Sequence, residues 1–233
     1  MSTNLRSQVA ALEPWITGFS VDGENYGGQY FAETDPRVHA FVGRLRKETR
    51  SINRILECGC LEGGHTSVLA SSFPDATVTA LDVRADNLAK AKLLTTVRGL
   101  NNIAFLQDDL EEPKTVFASA YDAIFCVGLL YHLRDPGKFL RHCAEASPFL
   151  WLWTVYCAET EAALIENGAR GRLYLEPTAH PLSAVRNESF FPTLGSLVEM
   201  TLNGGYTTVE ILKVEMTLNG NGPAVLLCAH RPL

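Results

Sequence analysis

The chain has 233 residues, 46% of them apolar and 20% charged, with 20 Lys and Arg against 26 Asp and Glu for a formal net charge of −6. This is the composition of a folded globular chain rather than a disordered one, and its negative balance gives no general attraction to nucleic acid or to an anionic membrane. No apolar run reaches the ~18 residues of a membrane span, and MSTNLRSQVAALEPW lacks the long apolar core of a signal peptide, so a soluble, cytoplasmic chain is expected.

Six cysteines, at 58, 60, 126, 143, 157 and 228, form no CxxC pair and sit mostly in apolar runs. They read as small buried fillers of a reduced protein.

In chain order, residues 36–50 (PRVHAFVGRLRKETR) start on a proline, space their apolar positions as a helix does and end in basic residues. INRILEC then predicts a buried strand, HTSVLASSF a helix, ATVTALDV a strand and ADNLAKAKLLTTVRG a helix closed by glycine. NIAFLQ predicts a short strand, EPKTVFASA a short helix, YDAIFCVG a strand, PGKFLRHCAEA a helix and PFLWLWTVY a fifth strand. Such alternation implies βαβ units and a doubly wound, mostly parallel α/β sheet.

After a helix in PTLGSLVEMTLNGG, the β-rich runs YTTVEILKVEM and GPAVLLCAH flank TLNGNG, whose Asn-Gly predicts a hairpin. The expected fold is a Rossmann-like, seven-stranded sheet that ends in an antiparallel hairpin. With no repeat and no low-complexity linker, residues 1–233 read as one domain: a cap or lid (1–50), a core (52–155), an insertion (156–191) and a closing helix with hairpin (192–233).

ILECGCLEGGHT, residues 55–66, places a glycine turn between the first strand and first helix of that sheet. Ligands of open α/β sheets collect at the carboxyl ends of strands. Glycines 59, 63 and 64 allow close backbone approach, and the helix that follows presents amide groups. No Gly-Lys-Ser/Thr follows, and Leu61 stands where GxGxxG has its second glycine, so neither a P-loop nor a dinucleotide turn is read.

Acids follow successive strands: Glu57 at the front of the turn, Asp82 where it can accept ribose hydroxyls, and Asp108 and Asp109 where one carboxylate can accept from an adenine amino group. Any one of them alone reads better as a solvated acid or a helix cap. Together they would repel a pyrophosphate and suit S-adenosylmethionine, which carries a sulfonium, an ammonium, a ribose and an adenine.

ILECGCLEGGHT, VTALDVRADNLAKAK, FLQDDL and YDAIFCVGLLYHLRDPGKFL, in this order and spacing, resemble the class I S-adenosylmethionine-dependent methyltransferases over about residues 52–155. LYHLRDP and the Trp15 segment more loosely resemble the tRNA wobble-uridine carboxymethyltransferase group and its small-molecule relatives. The resemblance implies that Glu57 and the backbone of Gly59, Cys60, Leu61 and Gly63 hold the amino-acid end of the cofactor. It implies ribose binding by Asp82, packing on adenine by Val83, and readout of the adenine edge by Asp109, with Asp108 beside it, and the Leu110 amide. Val127, at the end of the fourth strand, joins that set. Leu61 departs from the family's usual middle glycine, and Glu62 is then expected to be exposed or a helix-end charge.

His132 in GLLYHLRDP is the candidate general base, with Tyr131 beside it; a packed histidine is the plain alternative. His65 reads as structural. His39, His142, His180 and His230 share no ligand spacing, and no metal is expected. Residues 156–191 are expected to shape the substrate pocket through Arg170, Arg172, Tyr174 and Arg186, with Phe190 and Phe191 as walls, although each taken singly fits a surface or packing role. VDGENYGGQYF puts Tyr26 and Tyr30 in a segment able to close over the cofactor as a lid.

The expected partner is a small molecule, with a homodimer left open. Two other functions stay open: a cyclase or lyase that releases methylthioadenosine, and a non-catalytic cofactor-binding protein.

Overall fold

A computed structural model of the chain describes residues 2–48, 50–176, 182–218 and 222–232, in two compact units, Met1–Gln107 and Asp108–Leu233. The first unit opens with α1 (Ser2–Ala10) and an antiparallel hairpin, β1 (Gly18–Val21) and β2 (Glu24–Gly27). Its two-residue turn, Asp22-Gly23, has φ of 51° and 81°. Two positive φ values are the twist-matched geometry of a tight hairpin, and Asp-Gly is the pair that adopts it. The segment read as a flexible lid is therefore partly regular structure.

Helix α2 (Pro36–Leu45) starts as its sequence demands, with Asp35 accepting from the Arg37 amide and proline at the first position. Next come β3 (Arg54–Cys58), α3 (Gly64–Ser72), β4 (Thr77–Asp82), α4 (Ala85–Val97) and β5 (Ile103–Gln107). Strands β3, β4 and β5 pair in parallel. Leu5, Val9, Trp15, Phe19 and Tyr26 pack with Leu94 of α4. At roughly 1.5–3 kcal/mol per buried large apolar side chain, this cluster fixes the N-terminal segment.

In the second unit, the expected helix in EPKTVFASA shrinks to a 3-10 turn at Val116–Ala118. The cause is Asp108, whose carboxylate collects the amides of Asp109, Lys114, Thr115 and Val116 and so bends the loop around itself. Strand β6 (Ala123–Val127) runs into a second 3-10 turn, Leu130–His132, then α5 (Pro136–Ala146) and β7 (Phe149–Val155), which pairs with β6 in parallel. Residues 156–191 hold a three-stranded antiparallel sheet, β8 (Leu164–Glu166), β9 (Ala169–Leu175) and β10 (Glu188–Pro192), in the order β10-β9-β8. Helix α6 (Leu194–Asn203) leads to β11 (Thr208–Leu218) and β12 (Gly222–His230), which pair antiparallel, with β12 also antiparallel to β7.

The seven-stranded sheet has the order β11-β12-β7-β6-β3-β4-β5, mostly parallel and closed by the expected hairpin. The Asn-Gly expected at its tip, and His180, lie outside the described residues. All six cysteines are buried free thiols. Among the described residues, no helix is long and apolar enough to cross a membrane, and no three His, Cys, Asp or Glu side chains gather as a metal-binding group.

Candidate functional site

The turn after β3 is built from left-handed backbone: φ is 74° at Gly59, 49° at Leu61 and 81° at Gly63. Gly63 has no room for a side chain, since a Cβ there would stand 2.8 Å from the Cβ of Ala91 on α4. Leu61 accepts a conformation that glycine takes at lower cost, and its amide is held by Asp82 Oδ2 at 2.9 Å. Cys60 is buried. Its side chain packs with Ala80, Leu88 and Ala91, and its amide donates to Leu81 O.

Glu62 overturns its expectation. It is fully buried and accepts from the amides of Ile16 (2.8 Å) and Thr17 (2.6 Å), while its other oxygen meets Lys90 Nζ at 2.8 Å. Lys90 also donates to Pro14 O and lies 5.6 Å from the centre of the Trp15 ring. A buried charge survives only when paired and hydrogen-bonded. Here that pairing ties the N-terminal segment to the glycine turn.

The acids divide into two kinds. Glu57 is buried, and burial pushes its carboxyl up to about 8, with the charge of Asp82 adding to the rise and a 2.5 Å hydrogen bond from Thr66 opposing it. Asp82 is also held above the usual range by burial, against hydrogen bonds from the Arg84 amide, Asn87 Nδ2 and the Leu61 amide. Three donors leave a carboxylate with acceptor capacity.

Asp108 is different. Burial would raise its carboxyl, but the backbone amides of Thr115, Lys114, Val116 and Asp109 hold it below the usual range. These bonds and the Thr115 hydroxyl hold it as the anchor of its loop. Asp109 is half-exposed, accepts from the Glu111 amide and lies 3.6 Å from Arg186, which also meets Glu112 at 3.2 Å. Val83 is half-buried, whereas Leu110 and Val127 are buried.

The two lid tyrosines separate. Tyr26 is buried, stacked on Phe19 at 5.8 Å, with Arg6 5.5 Å from its ring centre and its hydroxyl on Glu24. Its ring packs in the N-terminal hydrophobic cluster. The Tyr30 hydroxyl donates to Asp35 (2.5 Å) and lies 3.1 Å from His65 Nε2, which itself lies 2.8 Å from Asp35. Burial and the neighbouring Asp35 raise the Tyr30 hydroxyl. Asp35 is held low: burial opposes this, but His65, Arg37 and Tyr30 hydrogen bonds outweigh it. His65 thus latches the segment before α2 to the first turn of α3.

In the second unit, Tyr131 and His132 stand side by side just past β6, ring centres 4.2 Å apart. His132 Nδ1 lies 3.0 Å from Oε1 of Glu176, a buried residue that sequence reasoning missed. Tyr131 meets Trp153 (6.2 Å) and Phe191 (6.1 Å) edge-on, and Tyr174 stacks on Phe191 at 5.1 Å. The Arg172 guanidinium lies 4.8 Å from the Phe191 ring centre, with Glu161 3.4 Å from its Nε.

Phe191, not Phe190, joins this group. Neighbouring strand residues face opposite ways, and Phe190 turns toward a cleft lined by Arg134, Pro136 and Met200. Arg170 is exposed and pairs with Glu159 at 2.9 Å.

Residues 55–147 match a family described as a methyltransferase domain. The ubiquinone biosynthesis O-methyltransferase of Escherichia coli O127:H6 is 33% identical over 92 residues, covering 40% of this chain and 37% of that protein. An uncharacterized protein of Synechococcus sp. is 37% identical over 112 residues, 47% of this chain and 26% of that one. The chain therefore spans only 26–37% of the length of these two relatives.

Among solved structures, the N-terminal domain of EvdMO1 with SAH bound superposes with a TM-score of 0.88 at 24% identity, covering 100% of this chain and 98% of that one. The same domain in the presence of SAH and D-fucose gives 0.87 at 23%, covering 99% and 97%. The structure of EvdMO1 gives 0.75 at 25%, covering 98% of this chain and 47% of that one. The matched motifs, the turn and the strand order agree with a class I S-adenosylmethionine-dependent methyltransferase domain over residues 55–147.

Proposed function

We propose that this chain binds S-adenosylmethionine and directs its methyl group to a hydroxyl of a small molecule. The observation that carries this reading is the Gly59–Gly63 turn, whose Leu61 amide is fixed by Asp82 and which has the buried Glu57 behind it. A carboxyl raised by burial gains most from a cationic ligand, and the cofactor offers a sulfonium and an ammonium. A pyrophosphate would meet repulsion at the same place. When bound, S-adenosylmethionine supplies an activated methyl carbon. The protein then has to position the acceptor, exclude water and remove a proton.

His132 is assigned the proton. The rings of Tyr131, Trp153, Tyr174 and Phe191 suit the apolar face of a compact acceptor, with few polar groups for orientation. A sugar hydroxyl is the favoured acceptor. The curated relatives match only part of the chain, whereas the EvdMO1 domain, solved in the presence of SAH and D-fucose, covers the sheet of residues 156–191 as well.

The test is incubation of the full chain with S-adenosylmethionine and a set of deoxysugars and glycosides, D-fucose included, read by mass spectrometry. S-adenosylhomocysteine formed in step with an O-methylated sugar is the expected result. Methylthioadenosine in its place would assign the chain to cofactor cleavage.

A further inference from the structure

His132 does not stand alone. Its Nδ1 is 3.0 Å from Glu176 Oε1, and the two side chains are only 16% and 3% exposed. Glu176 directly follows β9, and its own amide donates to Asn187 O at 2.9 Å, which fixes its backbone. The Ser189 hydroxyl, from β10, donates to the same Oε1 at 3.0 Å. The acid is therefore held by two strands of the insertion sheet, and the Phe190 amide of β10 donates to Leu133 O, tying that sheet to the turn that carries His132. The nearby ionisable side chains pair among themselves: Arg134 with Glu166 (2.5 Å) and Glu188 (3.7 Å), Arg172 with Glu161.

We propose that Glu176 is the positioning residue for His132, a role that rests on the methyl-transfer reading above. A carboxylate only accepts, so Nδ1 carries the ring hydrogen and Nε2 is left as the proton acceptor. The carboxylate also fixes the ring's orientation and stabilises the imidazolium once it forms. In the step itself the acceptor O–H bond breaks and its proton moves to Nε2. The oxygen's electron pair would form the new O–C bond as the C–S bond breaks, with the C–S pair staying on sulfur to give a neutral thioether. The imidazolium then releases its proton to solvent. The Ser189 hydroxyl and the Ala184 amide (3.5 Å to Oε2) would satisfy a carboxylate placed only to close off the insertion sheet, and such a carboxylate would not set the tautomer of His132.

The experiment uses the full chain labelled with 15N-histidine, with the His132 signals identified by their loss in His132→Asn. The expected result is that neutral His132 carries its hydrogen on Nδ1, and that Glu176→Ala moves the population toward the Nε2–H form. This arm needs no acceptor, and the wild-type spectrum alone decides it if the variant folds poorly. His132 bearing its hydrogen on Nε2 in the wild type would overturn the proposal.

In the kinetic arm, with D-fucose as the probe acceptor, Glu176→Ala is expected to lower kcat about 10- to 100-fold, a share of the ~10²–10⁴-fold given by a general base. KM for S-adenosylmethionine should hold, and Glu176→Asp should recover part of the loss. A kcat within about twofold of wild type would also overturn the proposal. Failure of the methyl-transfer reading looks different: wild type forms no S-adenosylhomocysteine with any acceptor, while the tautomer still answers to Glu176.

Discussion

Glu62 and Lys90 form an ion pair of 2.8 Å in which the carboxylate side chain is fully buried and the lysine side chain is 8% exposed. Removing one partner leaves the other as a buried charge, which costs about 3–5 kcal/mol. Glu62→Ala also strips the acceptor from the Ile16 and Thr17 amides and should fall at the high end of that range. The combined change Glu62→Leu with Lys90→Met should cost less than the sum of the two single changes. Urea unfolding of the three variants checks this. Losses below about 1 kcal/mol for both single changes would mean that the pair is not a structural anchor.

Glu57 sets a pH dependence. Its carboxyl is raised from 4.5 to about 8 in the folded chain. A raised acid stabilises the fold fully below its unfolded value and loses that contribution as pH rises through the folded one. The folded chain should therefore lose roughly 1.4 kcal/mol per pH unit between about 4.5 and 8 from this group alone. The difference in unfolding free energy between wild type and Glu57→Gln, followed from pH 5 to pH 8, isolates it. A pH-independent difference would contradict the raised ionisation.

The sheet was legible because each strand and helix announces itself locally, through buried apolar runs, helical spacing, and proline or glycine at the ends. Two hairpins were also written in the chain and went unread: Asp22-Gly23, and Asn167-Gly168 with φ of 49° and 84°. Both pairs are signals for a two-residue turn.

What local patterns do not carry is partnership across the chain. The partners of Glu62 lie 46, 45 and 28 residues away, and Glu176 lies 44 residues from His132. Phe191 could be told from Phe190 only once β10 was known to be a strand, because the pleat decides which of two neighbours faces Tyr131. The loop-anchoring part of Asp108 was equally hidden, since sequence does not show that the amides of residues 114–116 return to it.

Asp82 should matter twice over. It accepts from the Leu61 amide and is proposed to accept from the ribose, so Asp82→Ala removes a charged acceptor and loosens the turn. A charged hydrogen bond is worth about 1.5–3 kcal/mol, so affinity for S-adenosylmethionine should fall about ten- to a hundredfold. Equal affinity in the variant, by calorimetry, would remove Asp82 from the ribose site.

His132→Asn should leave cofactor affinity near wild type and lower turnover by about 10²–10⁴-fold, with loss of an ionisation from the pH–rate profile. If His132 only packs the turn after β6, the melting temperature falls while the turnover of folded protein holds. In that case Tyr131, 4.2 Å away ring to ring, becomes the group to test.

The most direct measurement is a calorimetric titration of the full chain with S-adenosylhomocysteine and, separately, with NAD. Saturable one-site binding of S-adenosylhomocysteine, tightening as pH rises toward 8 as Glu57 ionises, is the expected result. NAD should give no comparable heat. Tight NAD binding, or no saturable binding of S-adenosylhomocysteine to folded protein, would contradict the assignment of the Gly59–Gly63 turn.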